Sequence, residues 1–140
     1  LVHPLAHLRH VVQIIGQEIP DRYDVTFAFW EAGQSWVQMV MNRMDREYVE
    51  RPNDAPGLSQ LPSDYLREFY YGTQPVEESQ TEEQFGDLLA SNGLEDQLVF
   101  ATDWPHMDFD APAAIADHDG LTDEQKAKIM QDNGRALFGV

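Results

Sequence analysis

An uninterrupted apolar segment, Val25–Trp30, constrains the fold of this chain more than any other feature. Thr26 is its only polar residue, and β-branched and aromatic side chains dominate the rest. A segment that is apolar on both sides predicts a strand buried on both faces, which is typical of a parallel sheet. Because parallel strands need long crossover connections, usually helices, the chain is expected to alternate strands with helices.

Helical and strand-like patterns do alternate along the remaining sequence. Apolar residues three and four apart predict helices, and two Thr-x-x-Gln segments have the spacing of a capping box. The predicted helices span Leu5–Ile19, Trp36–Val49, Thr81–Gly93 and Thr122–Phe138, and the further predicted strands span Phe69–Gly72 and Leu98–Ala101. Residues Arg51–Pro62, with three prolines and a glycine, predict a loop. The sequence therefore predicts the α/β class.

The number of strands is too small for a closed architecture. Three strands and an apolar stub at Val2–His3 cannot close a (β/α)8 barrel, which needs eight strands and about 250 residues. An open sheet of this size would leave long unpaired edges. We therefore expect residues 1–140 to form a single partial domain that self-associates or pairs with a chain supplying the missing strands.

The charge balance limits the partners. The 140 residues include 25 Asp and Glu against 9 Lys and Arg, a formal net charge of -16. Such a surface repels phosphate and anionic lipid, so we expect no nucleic acid and no membrane as partner. The acids are dispersed, which favours a halophilic source over a merely acidic mesophilic protein. With no signal peptide and no apolar stretch of membrane-spanning length, a cytoplasmic location is expected.

Ionisable side chains follow several of the predicted strands. His3 follows the stub, Glu31 follows Val25–Trp30 and Asp103 follows Leu98–Ala101, whereas the end near Gly72 is neutral. In parallel α/β folds, functional residues gather beyond the carboxyl ends of the strands. The chain has no cysteine, so thiol catalysis and thiolate metal sites are excluded. Imidazole and carboxylate together suit zinc, manganese or iron.

Short motifs carry a more specific signal. In chain order they are His3-Pro4, Trp30–Trp36, Asn42–Asp45, Pro62–Tyr65, Asp103–His106 and Asn133–Phe138. Their order and content resemble the second amidohydrolase family, which includes aminocarboxymuconate semialdehyde decarboxylase. In particular, Asp-Trp-Pro-His at 103–106 is similar to the Ser-Asp-Tyr-Pro-His stretch of that family.

The resemblance implies a fold and a set of roles. The chain would be the C-terminal part of a TIM (β/α)8 barrel, about strands five or six to eight with their helices. His3 and Asp103 would bind a divalent metal, zinc first and manganese or iron as alternatives. Asp103 would also take a proton from water, and Glu31 would stand where decarboxylase-like members carry a catalytic His. His106 would be catalytic or substrate-facing, and Trp36 and Trp104 would shape the substrate pocket.

The expected function is therefore part of a metal-dependent hydrolase or decarboxylase acting on a small-molecule substrate through activated water or a metal-bound substrate carboxylate. The family's first-strand ligand pair, His-x-His or Glu-x-His, has no counterpart in this sequence, so we expect the chain alone to be inactive. The alternative is a non-catalytic half-barrel scaffold or binding module that self-associates. Simpler roles also stay open: Glu31 as a helix cap, Asp103 as a loop-opening residue and His3 as a surface histidine.

Overall fold

Three short parallel strands alternate with helices in the computed structural model, which describes residues 2–76 and 82–140. The helices are α1 (Val2–Gly16), α2 (Ile19–Arg22), α3 (Ser35–Glu50), α4 (Pro62–Leu66), α5 (Glu82–Asn92), α6 (Ala113–Ala116), α7 (Asp123–Ala127) and α8 (Asn133–Phe138). A 3-10 turn spans Pro52–Asp54, and a π-helical turn at Lys128–Asp132 joins α7 to α8. The strands are β1 (Ala28–Phe29), β2 (Tyr70–Gly72) and β3 (Leu98–Val99).

The sheet has the order β1-β2-β3, and both strand pairs are parallel. Phe29 is aligned with Tyr71, which is aligned in turn with Leu98. The α/β class with a parallel sheet is therefore confirmed. The paired part of β1 is shorter than the predicted Val25–Trp30, and Val25 is exposed. Within the described chain β1 has β2 as its only neighbour, so its pairing extends no further than that of the three-residue β2.

One face of the sheet packs against helices. The aligned row Phe29, Tyr71 and Leu98 belongs to the hydrophobic core, together with residues of α1 and α3. Val37 and Val40 of α3 are buried there, as its apolar spacing predicts. On the other face, the indole of Trp30 lies so close over Gly72 that a Cβ at that glycine would overlap it. The sheet is thus held from the helix side, with Trp30 covering Gly72 on the opposite side.

The first helix corrects one sequence-based expectation. The model places Val2 and His3 in the first turn of α1, so the predicted strand stub at Val2–His3 is wrong. Pro4 explains the helix, because proline is tolerated in a first turn, where the backbone N–H has no intrahelical partner. His3 consequently reaches the site from a helix N-terminus and not from a strand end.

The later helices follow their sequence signals closely. Thr122 caps α7 by accepting from Gln125 N, and the Gln125 side chain accepts from Thr122 N, so the predicted capping box is confirmed. The other predicted box begins at Thr81, which lies outside the described residues. The predicted loop Arg51–Pro62 is confirmed as largely irregular, with the 3-10 turn inside it and α4 beginning at Pro62. Over the described part of the chain, none of the helices combines the length and apolarity needed to cross a membrane.

Candidate active site

The carboxyl ends of the three strands carry the polar side chains of the candidate site. Glu31 follows β1, Gln74 follows β2 and Asp103 follows β3. Glu31 and Asp103 both have left-handed backbone conformations, with φ of 62° and 58°. Non-glycine residues pay a conformational cost there, and such strain clusters at functional sites. Among the described residues, two of the three non-glycine residues with positive φ therefore lie at strand ends at which sequence analysis expects chemistry, and the third, Glu18, lies between α1 and α2.

A cavity of about 610 Å³ opens at these strand ends. Its polar lining consists of His3, Glu31, Gln74, Asp103, His106 and Asp108. The model thus brings together all four ionisable residues singled out from sequence, although they come from α1 and from the segments after β1 and β3. A smaller recess of about 120 Å³ shares Glu31, Gln74 and Asp103 and adds Trp30 and Ala101.

Asp103 and His106 form the closest polar pair in this cavity. The Nδ1 of His106 lies 2.8 Å from Oδ1 of Asp103, and His106 N donates to Asp103 O at 2.9 Å. The hydrogen bond to the Asp103 carboxylate, helped by its negative charge, raises the pKa of His106. The Asp103 side chain is only 14% exposed, whereas that of His106 is 65% exposed. The carboxylate is thus held in the cavity wall, with the imidazole on its solvent side.

Backbone and hydroxyl hydrogen bonds fix the loop that carries Asp103. Trp104 N donates to the Thr102 hydroxyl, and Asp110 N donates to Thr102 O. One strand earlier, the Thr73 hydroxyl donates to Ala101 O and accepts from Ala101 N. These bonds extend the connection between β2 and β3 beyond the paired residues, so Asp103 projects from a fixed support.

His3 and Glu31 form a looser pair. Nδ1 of His3 lies 3.5 Å from Oε2 of Glu31, and both side chains are substantially exposed. A separation of this size in solvent stabilises the fold little. His3 therefore lies at the cavity without a close polar contact to Glu31.

Gln74 is not predicted from the sequence, in which the end of the second strand near Gly72 carries no charge. Gln74 lies two residues beyond β2, and the intervening Thr73 N still donates to Val99 O of β3. Gln74 lines both the cavity and the recess.

The two tryptophans expected to shape the pocket occupy different environments. Trp36 is buried against Phe29 and Tyr71, its Nε1 donates to Gly33 O, and it is not among the residues that line the cavity. Trp104 is exposed in the loop that carries Asp103, where its ring meets that of Phe109 edge to face, and it too is not among the residues that line the cavity. Trp36 thus supports the core behind β1, and only Trp104 is available to solvent near His106.

The donor atoms at the cavity can be tested against a metal ion. Imidazole and carboxylate are suitable ligand types, and a catalytic zinc usually has three protein ligands. Among residues 2–76 and 82–140, however, no group of three or more His, Asp or Glu side chains is arranged to hold a metal. The described residues therefore supply the right kinds of donor but do not by themselves form a complete metal site.

Comparisons with known proteins identify similar chains. Residues 2–140 match the protein-family model described as Amidohydrolase. The crystal structure of an amidohydrolase from Mycobacterium avium subsp. paratuberculosis K-10 is similar, with a TM-score of 0.80 and 20% sequence identity. That match covers 98% of this chain and 34% of the other, so the chain spans about a third of that protein's length. At this identity the likeness shows the fold alone. No curated protein matches the chain.

Proposed function

Because the chain belongs to the amidohydrolase family, we propose that it forms part of the active site of a metal-dependent hydrolase or decarboxylase acting on a small molecule. In this proposal, the chain is the C-terminal part of a (β/α)8 barrel. One observation carries it: His3, Glu31, Asp103 and His106 line a single cavity at the carboxyl ends of parallel strands. That end of the sheet is where barrel enzymes hold their catalytic residues.

Asp103 is the proposed proton acceptor. Its carboxylate is largely withdrawn from solvent, and His106 occupies Oδ1, which leaves Oδ2 as the oxygen able to take a proton from water. A positioned carboxylate of this kind contributes general-base catalysis. His106, protonated more readily because of Asp103, holds the carboxylate in place and can donate to a developing negative charge on the substrate. Glu31 stands across the recess as a second acid–base group.

Members of this family generally use divalent metals. We propose His3 and Asp103 as two ligands of such an ion, zinc before manganese or iron, with further ligands from residues beyond those described. A divalent cation supplies Lewis acidity, which lowers the pKa of water. Trp104, which is exposed in the loop that carries Asp103, is proposed to contact the apolar part of the substrate.

A substrate screen with and without a chelator tests the proposal. Carboxylates are assayed for CO2 release, and amides, esters and lactones for hydrolysis, using the full-length protein that contains this chain. We expect turnover in one of these classes, loss of at least 90% of it after chelation, and recovery on adding Zn²⁺ or Mn²⁺.

Two results would contradict the proposal. If turnover survives thorough chelation, the proposed metal dependence is wrong. If none of the substrate classes is turned over, the proposed enzymatic function is wrong. Mg²⁺ added after chelation serves as the control for a nonspecific ionic effect, because Mg²⁺ prefers all-oxygen sites and retains several waters.

A further inference from the structure

We infer that Gln74 selects the substrate: its Oε1 accepts a hydrogen bond from an N–H or O–H group of the molecule bound in the cavity. This inference rests on the proposed function, because it takes the cavity at the strand ends to be the active site. It adds a residue that follows the central strand to a site otherwise built from α1 and from the segments after β1 and β3.

The first observation is an unmatched acceptor. The Gln74 side chain is 2% exposed, and its Oε1 has no hydrogen-bond partner among residues 2–76 and 82–140. Burying an acceptor without a donor costs free energy, and native proteins do so rarely. Oε1 itself is closed to solvent, but Gln74 lines both the cavity and the recess, so a bound molecule that displaces its immediate neighbours can supply the donor there.

The orientation of the Gln74 amide follows from the contact that its nitrogen makes. Nε2 of Gln74 lies 3.2 Å from the carbonyl oxygen of Asp108, to which it donates. Turning the amide over would place Oε1 against that carbonyl oxygen, two acceptors with no proton between them. The contact therefore leaves Oε1, and not Nε2, as the atom without a partner.

The neighbours of Gln74 define the chemistry of the ligand. In the recess, Gln74 follows the central strand, with Glu31 after one flanking strand and Asp103 after the other. All three side chains offer oxygen acceptors, two of them carboxylates. A group bearing N–H or O–H donors is complementary to these acceptors. The proposed divalent ion would offset the charge of the two carboxylates, so a substrate carboxylate remains compatible with the site.

Gln34 shows why the location matters. Its Oε1 is also buried without a partner among the described residues, while its Nε2 donates to Gly72 O at 2.8 Å. Gln34 does not line the cavity or the recess. An orphan acceptor alone therefore assigns no ligand, and it is the place of Gln74 in the lining of the cavity and the recess that distinguishes it from Gln34.

A pair of small probes tests the inference on the full-length protein. Acetamide and acetone have similar size and the same carbonyl group, but only acetamide carries N–H donors. NMR titration gives the dissociation constant of each from the shifts of cavity residues. We expect acetamide to bind about 2- to 10-fold more tightly than acetone, the range of one neutral hydrogen bond. Gln74→Met, which removes the acceptor at similar size, should abolish this preference.

The matched control is Gln38→Met, which alters an exposed glutamine on α3 and should keep the preference. Equal binding of the two probes to the unaltered protein, no binding at the cavity, or an unchanged preference in Gln74→Met would overturn the inference. The comparison on the unaltered protein holds even if Gln74→Met fails to fold. If the protein shows no enzymatic turnover but still prefers acetamide, the proposed function is wrong. The assignment of Gln74 Oε1 as the acceptor for a bound molecule is then retained.

Discussion

Glu18 joins the turn between α1 and α2 to the loop that follows α3. Its backbone is left-handed, with φ of 59°. Its Oε1 accepts from Gly57 N at 2.7 Å, and its Oε2 accepts from Arg22 at 2.8 Å. The backbone hydrogen bond from Gly57, followed by the bond from Arg22, lowers the pKa of Glu18. Both bonds favour the charged carboxylate, so this contact depends on pH.

Glu18→Gln should therefore destabilise the protein in a pH-dependent way. A carboxyl whose pKa is lowered in the folded state contributes its full stability above the unfolded pKa, near 4.5, and loses it as pH falls through the folded value. The difference in free energy of unfolding between the protein and Glu18→Gln should be largest near pH 6–7 and shrink below about pH 4.5. Thermal unfolding across this range measures it.

The control for this prediction is Glu50→Gln, which breaks an exposed pair with Arg46 on α3. Exposed pairs of this kind contribute little, so the variant should change the free energy of unfolding only slightly. A destabilisation by Glu18→Gln that stays constant from pH 7 to pH 3 would show that its charge is not responsible.

At the residue scale, the sequence carried part of the site. His3, Glu31, Asp103 and His106 were predicted from strand ends and motifs, and the model places all four at one cavity. Their catalytic and metal-binding roles stay predictions. Gln74 was missed because an uncharged amide gives no signal until its burial and its missing partner are known. A tryptophan such as Trp36 has the same sequence pattern whether it lies in the core or lines a pocket, and only the packing distinguishes these two positions.

At the element scale, the three strands and the long helices α3 and α5 were located from the sequence, whereas the short helices α2, α4 and α6 were not. The periodicity of α3 and the capping box of α7 are local signals, and both are confirmed. Strand limits depend on pairing with distant segments, which explains why β1 is shorter than its apolar run. The π-helical turn at Lys128–Asp132 also has no signature in the local pattern, because the apolar spacing continues through it.

Two helical glycines give an element-scale prediction with opposite signs. A Cβ at Gly134 in α8 would lie 3.6 Å from Cγ1 of Val99, an ordinary contact. Gly134→Ala should therefore stabilise the protein by about 0.5–1 kcal/mol through helix propensity. A Cβ at Gly86 in α5 would overlap the carbonyl oxygen of Gly120. Gly86→Ala should destabilise by about 1–3 kcal/mol.

Urea unfolding of the two variants measures both effects, and each variant is the other's control because the chemical change is identical. If both variants raise the free energy of unfolding, helix propensity alone determines the effect. If both lower it, packing alone does. Stabilisation by Gly86→Ala would contradict the close approach of α5 to the backbone at Gly120.

At the scale of the whole molecule, the α/β class and the parallel sheet follow from apolar runs that alternate with amphipathic helices. The same patterns do not show which strands lie beyond β1 and β3, because each of these strands has one neighbour within the described residues. Self-association, or a chain supplying further barrel strands, stays a prediction, as does the halophilic source favoured by the net charge of -16. Family membership does not favour the non-catalytic alternative.

The central claim is that the cavity at the strand ends performs chemistry through Asp103. Its most direct test is the turnover number of Asp103→Asn in the full-length protein, on the substrate class identified by screening. Asn retains a hydrogen-bond acceptor for His106 but removes the charge and the proton acceptor, so turnover should fall by about 100-fold or more while the thermal midpoint is retained. Asp117→Asn, an exposed position at the end of α6, should keep full turnover. If Asp103→Asn keeps most of its activity, Asp103 is not the catalytic base and the account of the site is wrong.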